Sequence, residues 1–338
     1  MKRIIPLCLA LVMTVGLLAG CGKQNEQTAS DETRLRVVTT IFPEYDWVRE
    51  ILGDKADNAE VTMLLDNGAD LHSYQPTADD IVKISECDLF IYVGGESDDW
   101  VDDALKNAAN ENMKVINLLE ALGDSVKTEE AVEGMQEEEH DHDHDHEDAD
   151  AKEHDHEEEA EYDEHVWLSL KNAQTLCSAI SSVLQQIDPD NKDTYAANAS
   201  AYIKKLSALD ADYQAAVNAA ACKTVLFGDR FPFRYLAEDY GLRYYAAFAG
   251  CSAESEASFE TISFLAGKVD ELNLPCVLSI EGVQHKIAET IVRNTAAKNQ
   301  KVLMMDSMQS TTSKDAANGT TYLSVMERNL SVLKEALG

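Results

Sequence analysis

The chain has 338 residues, of which 62 are Asp or Glu and 28 are Lys or Arg, for a formal net charge of −34. Such an imbalance excludes a general affinity for nucleic acid or for anionic membranes. Its source is local, because residues 137–164 hold seventeen acidic side chains against one lysine and supply nearly half of the excess.

In chain order, Lys2 and Arg3 precede an apolar run from Ile4 to Leu18, which ends in Leu18-Ala19-Gly20-Cys21. A basic start, a short apolar run and small residues before a cysteine read as a signal peptide over residues 1–20. The run is too short and wrongly flanked for a membrane span. Its end resembles the bacterial lipobox, in which Cys21 takes up lipid after cleavage. Residues 21–34 then read as a polar tether, and no second apolar stretch of membrane length follows. The expected location is extracytoplasmic, lipid-anchored to the bacterial cell membrane. Of seven cysteines, Cys8 leaves with the signal and Cys21 is lipidated. Cys87, Cys177, Cys222, Cys251 and Cys276 form no CxxC pair, and their odd number argues against a complete disulfide framework while leaving room for one bridge.

The remainder suits two domains. Strand patterns at 35–40, 61–65, 88–93 and 115–118 alternate with helical patterns at 45–52, 77–84 and 98–108. This alternation implies a parallel sheet covered on both faces, the first lobe, over residues 35–188. Residues 221–338 repeat the theme, with strands at 224–227, 243–247, 276–279 and 301–305 and helices at 259–272, 284–297 and 321–337. Between the lobes, residues 189–220 contain no glycine and no internal proline. There Tyr195, Ala199, Tyr202, Leu206, Leu209, Tyr213 and Val217 recur by threes and fours. A coiled coil is the alternative for such spacing, but about three heptads between two α/β units read better as one stiff linking helix, ~45–50 Å long.

Six of the nine histidines sit in the acidic segment: His140, His142, His144 and His146 alternate with aspartates, and His154 and His156 repeat the pattern. Almost no apolar side chains accompany them, so the segment reads as a disordered loop. Imidazole suits zinc, nickel and copper, and interleaved carboxylates concentrate cations. The loop therefore reads as an auxiliary metal collector without defined geometry. The other three histidines lie in the body. His72 occurs in Gly68-Ala69-Asp70-Leu71-His72-Ser73-Tyr74-Gln75-Pro76-Thr77, between a strand and a helix, where ligands bind in open α/β sheets. His165 follows the acidic loop in Asp163-Glu164-His165-Val166-Trp167-Leu168, just before another helix. Taken singly, a histidine in either place is more often structural.

The ordered set of these two segments and the His-rich loop between them resembles the zinc- and manganese-type substrate-binding lipoproteins of ABC importers, the cluster A-I solute-binding family. The resemblance extends into the second lobe through Phe227-Gly228-Asp229-Arg230-Phe231-Pro232-Phe233-Arg234-Tyr235-Leu236, Ile280-Glu281-Gly282-Val283-Gln284 and Met305-Asp306-Ser307. It implies two similar α/β lobes joined by a rigid helix, with a metal in the cleft between them. By the same resemblance His72 and His165 are imidazole ligands, and Asp306 matches the family position that supplies a carboxylate in manganese-type members. The third ligand segment usually presents His or Glu where this chain has Gly228, which cannot ligate. Asp229 is adjacent, and Glu254, Glu256, Glu281 or a water are the other substitutes. A mixed nitrogen and oxygen set tolerates Zn2+ and Mn2+, and the His-rich loop favours Zn2+. His285, on no family landmark, is not counted as a ligand.

No nucleophile with an adjacent base, glycine-rich phosphate loop or HExxH pair occurs, and Gly94-Gly95 is too short to be one. The expected function is therefore binding: capture of a divalent transition metal, zinc first, and delivery to the permease and ATPase of an ABC importer by a monomer. The alternatives are a manganese- or iron-type protein of the same fold, a secreted zinc hydrolase, and an adhesin-like lipoprotein with a degenerate metal site.

Overall fold

The computed structural model describes residues 34–106, 108–136, 161–252, 256–282 and 285–338. The signal segment, Cys21, the six loop histidines and Glu254 lie outside the described residues. Residues 35–338 form one compact unit. Among the described residues no helix is long and apolar enough to cross a membrane.

Two four-stranded, all-parallel sheets organise the unit. In the first lobe β1 (Leu35–Thr39), β2 (Ala59–Met63), β3 (Leu89–Tyr92) and β4 (Lys114–Asn117) lie in the order β2-β1-β3-β4. In the second, β5 (Thr224–Arg230), β6 (Arg243–Phe248), β7 (Cys276–Ser279) and β8 (Lys301–Met304) lie in the order β6-β5-β7-β8. The interior strands read as continuous apolar runs because helices cover both faces: Leu89, Phe90 and Ile91 are all buried, as are Cys276, Val277 and Leu278. Each order reverses beside its first strand, at β1/β3 and at β5/β7. Ligands bind in open α/β sheets in the crevice beyond the carboxyl ends of the strands at such a point.

The linking helix spans Lys192–Ala219, 28 residues and ~42 Å long at 1.5 Å per residue. Its buried side chains are the seven whose spacing predicts it, Tyr195 through Val217. It is tied to both lobes. Asn198 donates to the carbonyl of Ile51 in the first lobe at 3.0 Å, and Tyr213 donates to the carbonyl of Met326 in the C-terminal helix at 2.7 Å. One apolar core runs without a break from Val37 on β1, past this helix, to Phe227 on β5. A second, smaller core in the second lobe gathers Leu226, Phe248, Leu265 and Val277.

Two expected helices come out shorter. Among the described residues of 98–108, Val101–Leu105 are α-helical, after a 3-10 turn at Glu96–Asp98. The turn follows Gly94 and Gly95, both at positive φ, which bend the chain away from β3. The helix expected over 284–297 runs Lys286–Asn294, and Thr295 ends it in extended geometry.

Candidate metal centre

His72, Asp229, Glu256, Glu281 and Asp306 sit at the carboxyl end of a strand or in the loop beyond it, whereas His165 immediately precedes the 3-10 turn Val166–Leu168. After β2, Asp70 caps a single 3-10 turn, Leu71–Ser73, by accepting from the His72 backbone N–H at 3.1 Å. The turn presents His72 to the cleft. Its Nδ1 lies 2.9 Å from Ser97 Oγ and 3.3 Å from Glu164 Oε2. Burial pushes the Glu164 carboxyl up, but bonds from His72 and Ser97 outweigh it and leave the group below its ordinary range. Glu164 gets this close because residue 95 is glycine, at φ +84. A Cβ there would meet Glu164 Oε1 at 2.4 Å. Gly95 therefore belongs to the site, making room for a carboxylate rather than a phosphate, while Gly94 makes room for Asn117.

His165 is fully buried. Its backbone N–H donates to Asp163 Oδ1 at 2.9 Å, and its Nδ1 lies 3.0 Å from the same oxygen. The Asp163 carbonyl in turn accepts from Tyr235 Oη of the second lobe at 2.8 Å. The Trp167 ring packs against the imidazole with centroids 5.2 Å apart, and its indole N–H donates to the Ser307 carbonyl at 2.8 Å.

An ionised carboxylate only accepts, so Asp163 assigns the proton of the His165 ring to Nδ1, whereas His72 Nδ1 faces the Ser97 hydroxyl, which can donate or accept. The two Nε2 atoms face each other 3.3 Å apart. With each ring proton on Nδ1, both would turn lone pairs to the same point, where a cation can stand between them. Two nitrogens on one tetrahedral Zn2+, each about 2.0–2.1 Å from the metal, are themselves about 3.3–3.4 Å apart. Gln309 also approaches, its Nε2 being 3.3 Å from His165 Nε2. Among the described residues, one group of potential donors lies within 4.8 Å of one another: His72, His165 and Cys251.

The family model described as "Zinc-uptake complex component A periplasmic" matches residues 37–336. The chain belongs to this family. It is similar to the zinc-binding lipoprotein AdcA of Streptococcus pneumoniae serotype 4, with 33% identity over 335 residues. That match takes in 99% of this chain and 61% of the relative, so the chain spans under two thirds of that protein's length. It is also similar to the high-affinity zinc uptake system protein ZnuA of Bacillus subtilis, at 31% identity over 95% of this chain and 94% of the other. Among solved structures, the Zn(II)-bound ZnuA-like domain of the pneumococcal AdcA superposes with a TM-score of 0.67 at 29% identity, covering 90% of this chain and 99% of that one.

Within this family member the three expected carboxylates are engaged elsewhere. Glu281, just past β7, accepts from the Ser307 backbone N–H and hydroxyl, both at 2.6 Å, and from the Gln309 backbone N–H at 3.1 Å. It thereby fixes the turn that brings Gln309 to His165. Asp306 accepts from the Met308 backbone N–H at 2.8 Å and lies 3.7 Å from the Arg328 guanidinium. Asp229 accepts from the N–H of Arg230 at 2.9 Å and lines an interlobe cavity of ≈ 880 Å3 together with His72. Burial pushes all three carboxyls above their ordinary range. None of the three joins the 4.8 Å group. Glu256 lines the same cavity and likewise stays outside the group. His285 contacts Ser279 Oγ at 2.8 Å through Nδ1.

Gly228 has a packing reason. A Cβ on it would come within 2.4 Å of Ala288 Cα, so the glycine lets the helix Lys286–Asn294 lie directly on β5. The guanidinium of Arg230, two residues on, lies 2.6 Å from Asp70 and clamps the His72 turn across the cleft. Burial pushes Asp70 up, but Arg230 and His72 overcome it and hold the carboxyl below its ordinary range.

The residue that sequence reading missed is Cys251. It follows β6 and its backbone N–H donates to Glu129 Oε1 at 2.8 Å. Burial, with Glu129, Asp163 and Glu164 around it, pushes its thiol up, while the Glu164 backbone N–H pulls the other way. Nothing local in Ala249-Gly250-Cys251-Ser252 marks this thiol out from the other four.

Proposed function

We propose that this chain is the extracytoplasmic, lipid-anchored component of a zinc importer, which captures one Zn2+ between its lobes at His72 and His165 and passes it to an ABC permease and ATPase. The observation that carries the reading is the 3.3 Å approach of the two Nε2 atoms, with Asp163 hydrogen-bonded behind one ring and Ser97 behind the other. Two nitrogens at that separation suit one tetrahedral cation, and the hydrogen-bonded Asp163 carboxylate orients the His165 ring and raises its basicity toward a metal. Membership of a zinc-uptake family and likeness to zinc-binding relatives support the same metal.

A role for the acidic loop as collector rests on its surroundings. Of the acidic segment the last four residues, 161–164, are described, and Glu161 and Tyr162 line a pocket of ≈ 270 Å3 with Glu96, Glu129, Glu164, His72 and Cys251. Mutual repulsion accompanies this crowding: burial and then Glu161 push the Glu96 carboxyl above its ordinary range. A cation leaving the loop thus meets a field of glutamates that opens onto His72. The role is binding, not catalysis, and a monomer suffices for it.

Competitive titration against a zinc chelator tests the proposal. The mature chain is expected to hold one tight equivalent above the weak capacity of the loop. Deleting residues 137–160 should spare that equivalent, and His72→Ala or His165→Ala should abolish it. Tight binding that survives both histidine variants and disappears with the loop would overturn the reading.

A further inference from the structure

The five cysteines of the folded body are not alike. Cys87, Cys177 and Cys276 are buried members of the main apolar core. Cys222 packs against the smaller one. Cys251 belongs to neither core. It is half-buried and lines the polar pocket of ≈ 270 Å3 beside His72, and its Sγ lies within 4.8 Å of a ring nitrogen of His72 and of His165. A thiol kept only for packing has no reason to sit against two imidazoles and among glutamates.

We infer that Cys251 is the third ligand of the cleft site, so that the cargo is held by two imidazoles and a thiolate and is a borderline-to-soft ion of the Zn2+ class rather than Mn2+. The inference rests on the metal-capture reading above and goes further by naming the donor that sets the choice of metal. Three observations converge on it. Asp229, Asp306 and Glu281 each accept from backbone N–H groups, Glu281 from two of them and a hydroxyl. The loop bearing Cys251 is anchored to the first lobe through Glu129, which holds the sulfur on the imidazole side of the cleft. A tetrahedral Zn2+ with nitrogen at ~2.0–2.1 Å and sulfur at ~2.3 Å needs nitrogen and sulfur about 3.6 Å apart, and the Cys251 sulfur already lies within 4.8 Å of a nitrogen of each ring.

On binding, the S–H proton passes to solvent as the sulfur–metal bond forms, and a fourth position stays open to water. Thiolate ligands favour zinc and copper(I), whereas manganese prefers carboxylate and carbonyl oxygen. Exchanging sulfur for oxygen should therefore narrow the preference for zinc over manganese.

Cobalt(II) is the probe, used on the full mature chain. One equivalent should raise a near-ultraviolet sulfur-to-cobalt charge-transfer band that Zn2+ displaces. The His-rich stretch 137–160 contains no cysteine and is silent in that band. Cys251→Ser should lose the band and bind Zn2+ at least about tenfold more weakly, since even partners one step removed from a metal are worth ~10–100-fold. Cys222→Ser should keep both. Cys251→His, which restores a third neutral donor, should recover zinc affinity without the band. Matching thermal melts for the variants exclude misfolding. A tight zinc equivalent that depends on His72 and His165 but shows no charge-transfer band, or a band that survives Cys251→Ser, overturns the inference and leaves metal capture standing. Absence of any tight equivalent in the parent chain overturns both.

Discussion

The two lobes share one strand order, with the first strand of each sheet flanked by the second and third and the fourth at the far edge, yet they meet the cleft with different chemistry. In the first lobe acidic side chains serve the imidazoles: Asp163 and Glu164 each face an Nδ1. In the second lobe Glu281 and Asp306 serve the backbone, closing the turn 305–309 behind His165. Topology places residues at the strand ends in both lobes, but what a carboxylate does there depends on whether a ring nitrogen or a backbone N–H reaches it first.

The largest effect expected from breaking this contrast is at Asp163. Asp163→Ala removes the acceptor that fixes the ring of His165 and its tautomer. Zinc affinity should fall ~10–100-fold in chelator competition, in line with the loss of a carboxylate behind a metal-bound histidine. An unchanged affinity would show that burial alone orients the ring.

Gly228→Ala addresses the second lobe. The added methyl meets backbone of the helix Lys286–Asn294 at 2.4 Å, so the helix must shift. Overpacking of this kind costs about 1–3 kcal/mol. A denaturant titration should register the loss, whereas a ligand role for this segment would appear in the metal affinity of the folded fraction.

The joint between the lobes supplies a third test. Asp46, in the helix Phe42–Leu52, accepts from the backbone N–H of Tyr322 at the start of the C-terminal helix, at 2.9 Å. Burial, only partly countered by that bond, raises its carboxyl to about 7. The folded chain thus takes up a proton between the unfolded value near ~3.9 and about 7, and stability from this group rises as pH falls through that window. Above it the ionised carboxylate is a cost. Asp46→Asn keeps the acceptor and drops the charge, so thermal melts of the metal-free protein should rise at pH 8 relative to the parent and converge with it only near about pH 4. A parallel offset at both pH values would contradict this.

The smallest effect is expected for Asp306→Asn. Its carboxylate holds the Met308 N–H and faces Arg328, so zinc affinity should change by only a few-fold, roughly the worth of one hydrogen bond. A loss as large as that of His72→Ala would place Asp306 on the metal and narrow the difference between the lobes.

Local pattern was enough for much of this molecule. The apolar runs of β1 and β3, and the spacing from Tyr195 to Val217, depend only on strand and helix periods, so sequence determined both sheets and the linking helix. It also singled out His72 and His165, through the motifs around them. Sequence does not say which side chain reaches a given N–H first, and so it did not separate Asp163, which serves a ring, from Asp306, which serves a turn. Nor did it find Cys251. That thiol lies 179 positions from His72 in the chain, 251 less 72, and comes to it only because β6 pairs with β5 at the edge of the second sheet and the loop beyond is anchored by Glu129. The folded core decided these assignments, because distances of a few ångströms between distant segments are set by how two sheets pack on one helix and have no signature in any single stretch of chain.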